Sequence, residues 1–204
     1  MILHGYDQSS ATYRVRIVLN LKRVGREDRR VDLLRDDQAG DAYRAVNPQG
    51  LVPALETSRG ELTQSLAICE YIDEVWPDPP LLPLDPFARA QARAFAQVIA
   101  CDVHPLQNLK ILRRLRTCGL DREQVQAWAR TTIADGLAAC ETLAVRHAGR
   151  YSVGDAVTLA DVFLVPQLAN ARRFGVDAAW PRLRAIGAEC LALDAFHAAA
   201  PATA

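Results

Sequence analysis

Residues 9–22 read SSATYRVRIVLNLK. Val15, Val18, Leu19 and Lys22 fall at i, i+3, i+4 and i+7, with the apolar members on one side. That spacing predicts a helix over Ala11–Arg23. Two hydroxyls, Ser9 and Ser10, stand where the helix begins. Serine is a favoured N-cap, so one reading is purely structural. The other is chemical. A helix start has unpaired N–H groups and a partial positive charge, and so holds anions. A thiol, ordinarily near pKa ~8.5, is pulled toward the thiolate at such a place. The stretch by itself leaves both readings open.

Working outward, MILHGY before it reads as a buried strand, and RVDLL (Arg30–Leu34) as a second short one. Ala39–Val46 is a loop or short helix. NPQGLVPALE brings a turn and a third strand near Ala54–Glu56, and Glu61–Thr63 gives a fourth. Ser65 opens another helix in which Leu66, Cys69, Ile72 and Trp76 share a face. The order is β-α-β, a connection, then β-β-α. A strand-helix-strand unit needs a parallel pair, and the later strands suit a hairpin. A four-stranded sheet with helices on both faces satisfies this order.

WPDPPLLPLDP (76–86) holds five prolines and reads as an extended linker. Strand signals stop after it. Phe87–Leu115, Arg122–Arg146, Leu159–Arg173 and Pro181–Leu193 are helical patterns rich in good helix formers. A glycine-containing loop, HAGRYSVGDAVTLAD, interrupts them, and the Ala-rich tail HAAAPATA is expected to fray. The expected organisation is therefore a small α/β domain over 1–82 and an all-helical domain over 87–204.

Charge is balanced, 24 basic against 24 acidic residues, so no basic face for nucleic acid is implied. No run approaches the roughly 18 apolar residues of a membrane span. The first ten residues lack the basic start and long apolar core of a secretory leader. Five cysteines, odd in number and widely spaced, point to a reducing cytosol rather than a disulfide framework. His4, His104, His147 and His197 share no ligand spacing with them, so no metal site is expected.

Further along, Leu51-Val52-Pro53 precedes a strand. Should Pro53 be cis, the N–H and C=O of Val52 face outward to pair with an extended peptide; the alternative is an ordinary turn. Gln64-Ser65 opens a helix, where Ser65 either caps or grips a carboxylate. Thr158-Leu-Ala-Asp161 has capping-box spacing, and its structural reading prevails over catalysis by Asp161. Arg172 and Arg173 end an apolar helix, as a solvated terminus or as carboxylate ligands. Asn108 and Lys110, with His104 one turn before Asn108, suit a cleft without requiring one.

Together these pieces resemble the zeta class of glutathione transferases, the family that includes maleylacetoacetate isomerase and maleylpyruvate isomerase. The stretches that carry the resemblance are SSATYRVRIVLNLK, NPQGLVPALE, QSLAICEYIDE, LLPLDP, HPLQNLKIL and YSVGDAVTLADVFLVPQLANARRFGVD, in family order over nearly the whole chain. The resemblance implies a thioredoxin-like N-terminal domain, a helical C-terminal domain, a homodimer and a cis Pro53, and the cysteine pattern puts the expected location in the cytoplasm. It places Ser9 and Ser10 beside the glutathione sulfur, Val52 on the cysteinyl backbone, and Gln64 and Ser65 on the γ-glutamyl carboxylate. Gln38 approaches the glycyl end. His104, Asn108 and Lys110 line the site from the helical domain, and Arg173 binds a carboxylate of the acidic substrate.

The implied activity is cis–trans isomerisation of a maleyl-type diacid, with glutathione as the cofactor. Two rivals remain: a general transferase that conjugates electrophiles or dehalogenates small haloacids, and a scaffold that keeps the fold without catalysis. Two positions depart from the family pattern. Ala11 stands where a cysteine is common, and Gln8 where many relatives carry arginine. The first removes a protein thiol that isomerisation does not need. The second weakens carboxylate binding at that point and slightly favours the general transferase.

Overall fold

A computed structural model describes residues 1–176 and 180–201. The chain divides into two compact units, one of residues 1–80 together with the segment from Leu193, the other Leu81–Ala192.

The first unit holds the expected four-stranded sheet, in the order β2-β1-β3-β4. β1 (Ile2–Gly5) runs parallel to β2 (Glu27–Arg30) and antiparallel to β3 (Ala54–Thr57), which pairs antiparallel with β4 (Gly60–Thr63). The parallel pair is joined through α1 (Ser10–Leu21), and α3 (Ser65–Val75) follows the hairpin. β2 lies three residues earlier than expected. Its register pairs Ile2 with Glu27, and all four of its side chains are exposed. The apolar cue of Val31, Leu33 and Leu34 belongs to the strand's exit, where the Asp32 carboxylate accepts from the Leu34 N–H and starts a turn. Four charged side chains also suit an edge strand, where they discourage pairing with another chain.

α1 is buried more widely than its one-sided spacing predicts. Arg14, Val15, Ile17, Val18 and Leu19 are all enclosed. On α3 the buried face is Ser65, Ile68, Cys69, Ile72 and Asp73, so Ile68 takes the core position expected of Leu66. Lys22 at the end of α1 sends its ammonium to Asp73 (2.6 Å) and to the Pro79 carbonyl (2.5 Å), which satisfies a charge removed from water.

α9 (Asp194–His197) packs in this first unit, although the sequence reading assigns it to the helical one. Phe196 is fully buried, the Tyr13 hydroxyl donates to its carbonyl (3.0 Å), and Asn20 donates to Ala195 O (3.0 Å). Nothing local in the sequence says which core accepts that phenylalanine. Ala202–Ala204, the end of the tail expected to fray, lie outside the described residues.

The second unit is helical. The helix expected over Phe87–Leu115 is broken: α4 (Pro86–Gln97) passes into a π-helical stretch (Val98–Val103), a turn follows, and α5 (Leu109–Thr117) starts afresh. Pro105 in that turn has no amide N–H to continue the ladder, and Asn108 supplies a new cap. α6 (Arg122–His147), α7 (Leu159–Arg173) and α8 (Pro181–Leu191) complete the unit. α7 is its centre, with Leu159–Gln167 buried without a break. Its start is fixed by Asp161, which is fully buried. The Asp161 carboxylate accepts from the Ser152 N–H (2.8 Å), the Thr158 N–H (2.8 Å) and the Thr158 hydroxyl (3.1 Å). Burial pushes this carboxyl up, and those hydrogen bonds offset the rise only in part. No helix among the described residues is long and apolar enough to cross a membrane.

The end of β1 and the first turn of α1 approach closely at Gly5. A Cβ there would lie 2.3 Å from the Thr12 methyl in the first turn of α1. We predict that Gly5→Ala destabilises the protein by about 1–3 kcal/mol through overpacking. Thr12→Ser, which deletes the opposing methyl, restores much of that loss in urea unfolding. An unaltered midpoint for Gly5→Ala alone would show that the contact is soft.

Candidate functional site

In the first unit, the seat of α1 against the end of β1 sets the geometry at residues 6–12. The Ser9 N–H donates to Tyr6 O (3.0 Å), so the chain turns back before the helix starts. Ser9 is the N-cap, in extended backbone, and its Oγ accepts from the Thr12 N–H (3.2 Å). The structural reading of this serine therefore holds. It does not exclude the chemical one, because a hydroxyl that accepts still has its own proton to donate. Ser10 is the first helical residue and is buried. Among the cysteines, all five are free thiols, and the one in this unit, Cys69, is fully buried. Burial pushes its thiol well up, away from the range of a nucleophile.

The Val52–Pro53 bond is cis, as the resemblance implies, and so is Asp78–Pro79. β3 begins only at Ala54, which leaves Val52 outside the sheet. Among the described residues its N–H and C=O take no partner. The loop before it is pinned by residues the sequence reading did not single out. The Leu51 carbonyl accepts from both the Tyr43 hydroxyl (2.7 Å) and the Asn47 amide (2.6 Å), and Asn47 Oδ1 accepts from the Gln49 N–H (3.0 Å). Burial pushes the Tyr43 phenol up to about 12, so it remains a donor throughout the neutral range. The cue in the sequence was Asn-Pro-x-Gly, a turn signature whose side chain bonds its own backbone two residues on. Gln38 lies against this loop, its carbonyl 2.9 Å from where a Gly50 Cβ would sit. Its Nε2 donates to Asp36 (3.0 Å), while its Oε1 is buried without a partner.

Gln64 and Ser65 open α3. Gln64 has φ +70°, a left-handed conformation unusual for a residue with a side chain, and held here just before a helix N-terminus. Its side chain donates to Gln49 (2.7 Å). Ser65 is buried, and its hydroxyl accepts from Arg14 (3.1 Å). Arg14 is 1 % exposed, so a guanidinium charge sits inside the unit beside the α3 N-terminus. Helix dipole, amides and guanidinium all favour an anion there. The signal for it in the sequence was Arg14 standing directly before the apolar Val15 on α1.

The second unit carries the remaining expected residues. His104 ends the π-helical stretch, its N–H donating to Ile99 O (2.8 Å). Asn108 caps α5 with Oδ1 accepting from the Lys110 N–H (3.0 Å), and its amide donors are left for other partners. Lys110 is exposed in the first turn. Arg173 is the last residue of α7, and its Nη2 donates to Asn170 Oδ1 (2.8 Å). Asn170 in turn donates to Gln107 Oε1 (2.5 Å). Gln107 and Asn170 were not expected from the sequence. Within this unit they join the turn that carries His104 and Asn108 to the helix that carries Arg173. Among the described residues no cluster of His, Cys, Asp and Glu is arranged to hold a metal ion.

Residues 8–75 match the glutathione S-transferase N-terminal domain family. The chain is 47% identical to the maleylpyruvate isomerase of a Ralstonia species, over 99% of this chain and 97% of that one. It is similarly 47% identical to the maleylacetoacetate isomerase of Pseudomonas aeruginosa, over 99% and 96% of the two chains. Among solved structures it is similar to a holo maleyl pyruvate isomerase, described as a bacterial glutathione-S-transferase in the zeta class. The TM-score is 0.96, with 47% identity, 99% of this chain and 97% of that chain covered. A maleylacetoacetate isomerase from Methylobacterium extorquens AM1 with bound malonate and GSH gives TM-score 0.96 at 43% identity, covering 98% and 96% of the chains.

The Tyr43 bond yields a prediction with a definite sign. Its folded pKa lies above the ordinary value near ~10, so its contribution is complete below pH ~10 and falls as pH rises toward 12. Tyr43→Phe is therefore expected to flatten the stability-against-pH curve between those limits relative to the parent. Asn47→Ala is expected to speed amide exchange at Gln49 about tenfold, the worth of one hydrogen bond. Unchanged protection at Gln49 would mean that the loop is held by other contacts.

Proposed function

Because the chain belongs to the zeta class of glutathione transferases, the family of the maleylacetoacetate and maleylpyruvate isomerases, we propose that it is an enzyme that isomerises a maleyl-type diacid to the fumaryl form with glutathione as cofactor. The residues present suit that tripeptide. The unpartnered backbone of Val52 suits a peptide added as a strand. The α3 start, with Gln64, Ser65 and buried Arg14, suits the γ-glutamyl carboxylate. Gln38, whose buried Oε1 is an acceptor without a partner, suits the N–H of the glycyl unit. In the helical unit, His104, Asn108 and Lys110 are the polar residues that the resemblance implicates.

Bound glutathione supplies a thiolate whose reversible addition makes the double bond single for long enough to rotate. The protein's part is to keep that sulfur ionised and to orient the acid. The observation that carries this reading is the state of Ser9. Its oxygen is engaged by the helix amide of Thr12, which fixes the side chain while its O–H stays able to donate to an anion. Ser10 and the first-turn amides of α1 add to the same field. Arg173, a planar fork of donors that stays charged at every working pH, suits one substrate carboxylate. A bound malonate in the Methylobacterium relative, itself a small diacid, supports this choice of substrate class.

We further infer a homodimer in the cytoplasm. Exposed free thiols at Cys101 and Cys118 suit a reducing compartment, and the exposed Phe87 ring suits cover by a second chain. Sedimentation at twice the 22.4 kDa chain mass is the expected result.

Two substitutions test the chemistry. Ser9→Asp keeps a good cap without a proton to donate, so folding stability should be retained while turnover of maleylpyruvate falls by about a hundredfold. Equal activity in Ser9→Asp would remove this serine from the mechanism. Arg173→Ala should raise KM for the diacid by at least ~10-fold, the worth of a charged hydrogen bond. Glutathione that is consumed in step with turnover, instead of regenerated, would favour the conjugating transferase that Gln8 hints at.

A further inference from the structure

Arg173 ends a helix and its side chain is long and exposed, so holding it in one orientation costs conformational entropy. A guanidinium that must wait for a planar carboxylate works better if that orientation is set beforehand. Asn170 stands one turn earlier on α7, only 5 % exposed, and accepts from Arg173 Nη2 at 2.8 Å. Its own amide donates at 2.5 Å to Gln107 Oε1, a residue 3 % exposed and 63 positions away in the chain.

The polarity of this chain of bonds is forced. Arginine has donors and no acceptor, so Asn170 must present oxygen to it. Its NH2 group then points the other way and requires an acceptor, which Gln107 provides by turning its carbonyl oxygen inward. Reversing the Gln107 amide would set two donors against each other in a buried place. Gln107 is itself held, its N–H donating to Val103 O (3.3 Å) at the end of the π-helical stretch.

We propose that Asn170, locked in orientation by Gln107, is a positioning residue that presets the Arg173 guanidinium for the substrate carboxylate. The proposal rests on the reading of Arg173 given above. A purely structural amide pair would tie the 104–108 turn to α7 without any effect that depends on Arg173.

The test is steady-state kinetics with maleylpyruvate at saturating glutathione, on Asn170→Ser, Gln107→Met, Arg173→Ala and the two doubles with Arg173→Ala. Each positioning variant alone should raise KM for the diacid about tenfold, the worth of a hydrogen bond to a charged group. In the Arg173→Ala background neither should add more than about twofold, because the group they position is gone. Full additional losses in that background, or a folded single variant with unchanged KM, overturn the proposal. The variants remove different members of the chain of bonds, so if one fails to fold the other decides. If Arg173→Ala itself leaves KM unchanged, the carboxylate reading of Arg173 fails first and takes this inference with it. If Arg173→Ala raises KM and the positioning variants do not, this inference alone fails.

Discussion

The close contact of β1 with the first turn of α1 governs the rest of the first unit. Gly5 allows the Thr12 methyl to approach the backbone at the end of the strand, and the Thr12 hydroxyl accepts from the Tyr6 N–H (3.4 Å). The helix start is thereby held at the end of the sheet. Ser9, which turns out of the strand's exit through its bond to Tyr6, has only one place to cap. Burial of Val15, Ile17, Val18 and Leu19 then fixes the whole helix as a rigid rod. An anion site made from helix amides works only if those amides do not shift when charge develops.

On the proposed reading, much of the recognition in this unit runs through its backbone. The Val52 peptide groups, the α3 amides and the first turn of α1 are all main-chain donors or acceptors, and their positions depend on side chains packed behind them. Tyr43 and Asn47 do this for the loop, through the Leu51 carbonyl. Arg14 does it at α3, where it also brings charge. Such groups serve function at one remove.

In the second unit the corresponding anchor is Asp161. A buried carboxylate is costly unless its oxygens are satisfied, and here two N–H groups and one hydroxyl converge on it. That seats the start of α7. The far end of the same helix is tied by Asn170 to Gln107. With both ends held, the residues at its C-terminus stand on a rigid support despite the proline at position 166.

Local chemistry alone determined the number of strands and the positions of three of them, the caps at Ser9 and Thr158–Asp161, and the break at the proline-rich linker. Each depends on neighbours within a few positions: spacing of apolar residues, serine before a helix, proline where no amide is available. The resemblance added the expectation of which helix starts bear on glutathione. Tertiary structure decided the rest. The strand placed at 30–34 formed at 27–30, because pairing with β1 and not the apolar residues sets its register. The long helix from Phe87 broke at Pro105, and α9 joined the first core through Phe196. Gln107 and Asn170 lie 63 positions apart, and nothing within a few residues of either marks it as the other's partner. Contacts between distant positions depend on which surfaces pack together, and that packing is a property of the whole chain rather than of any window along it.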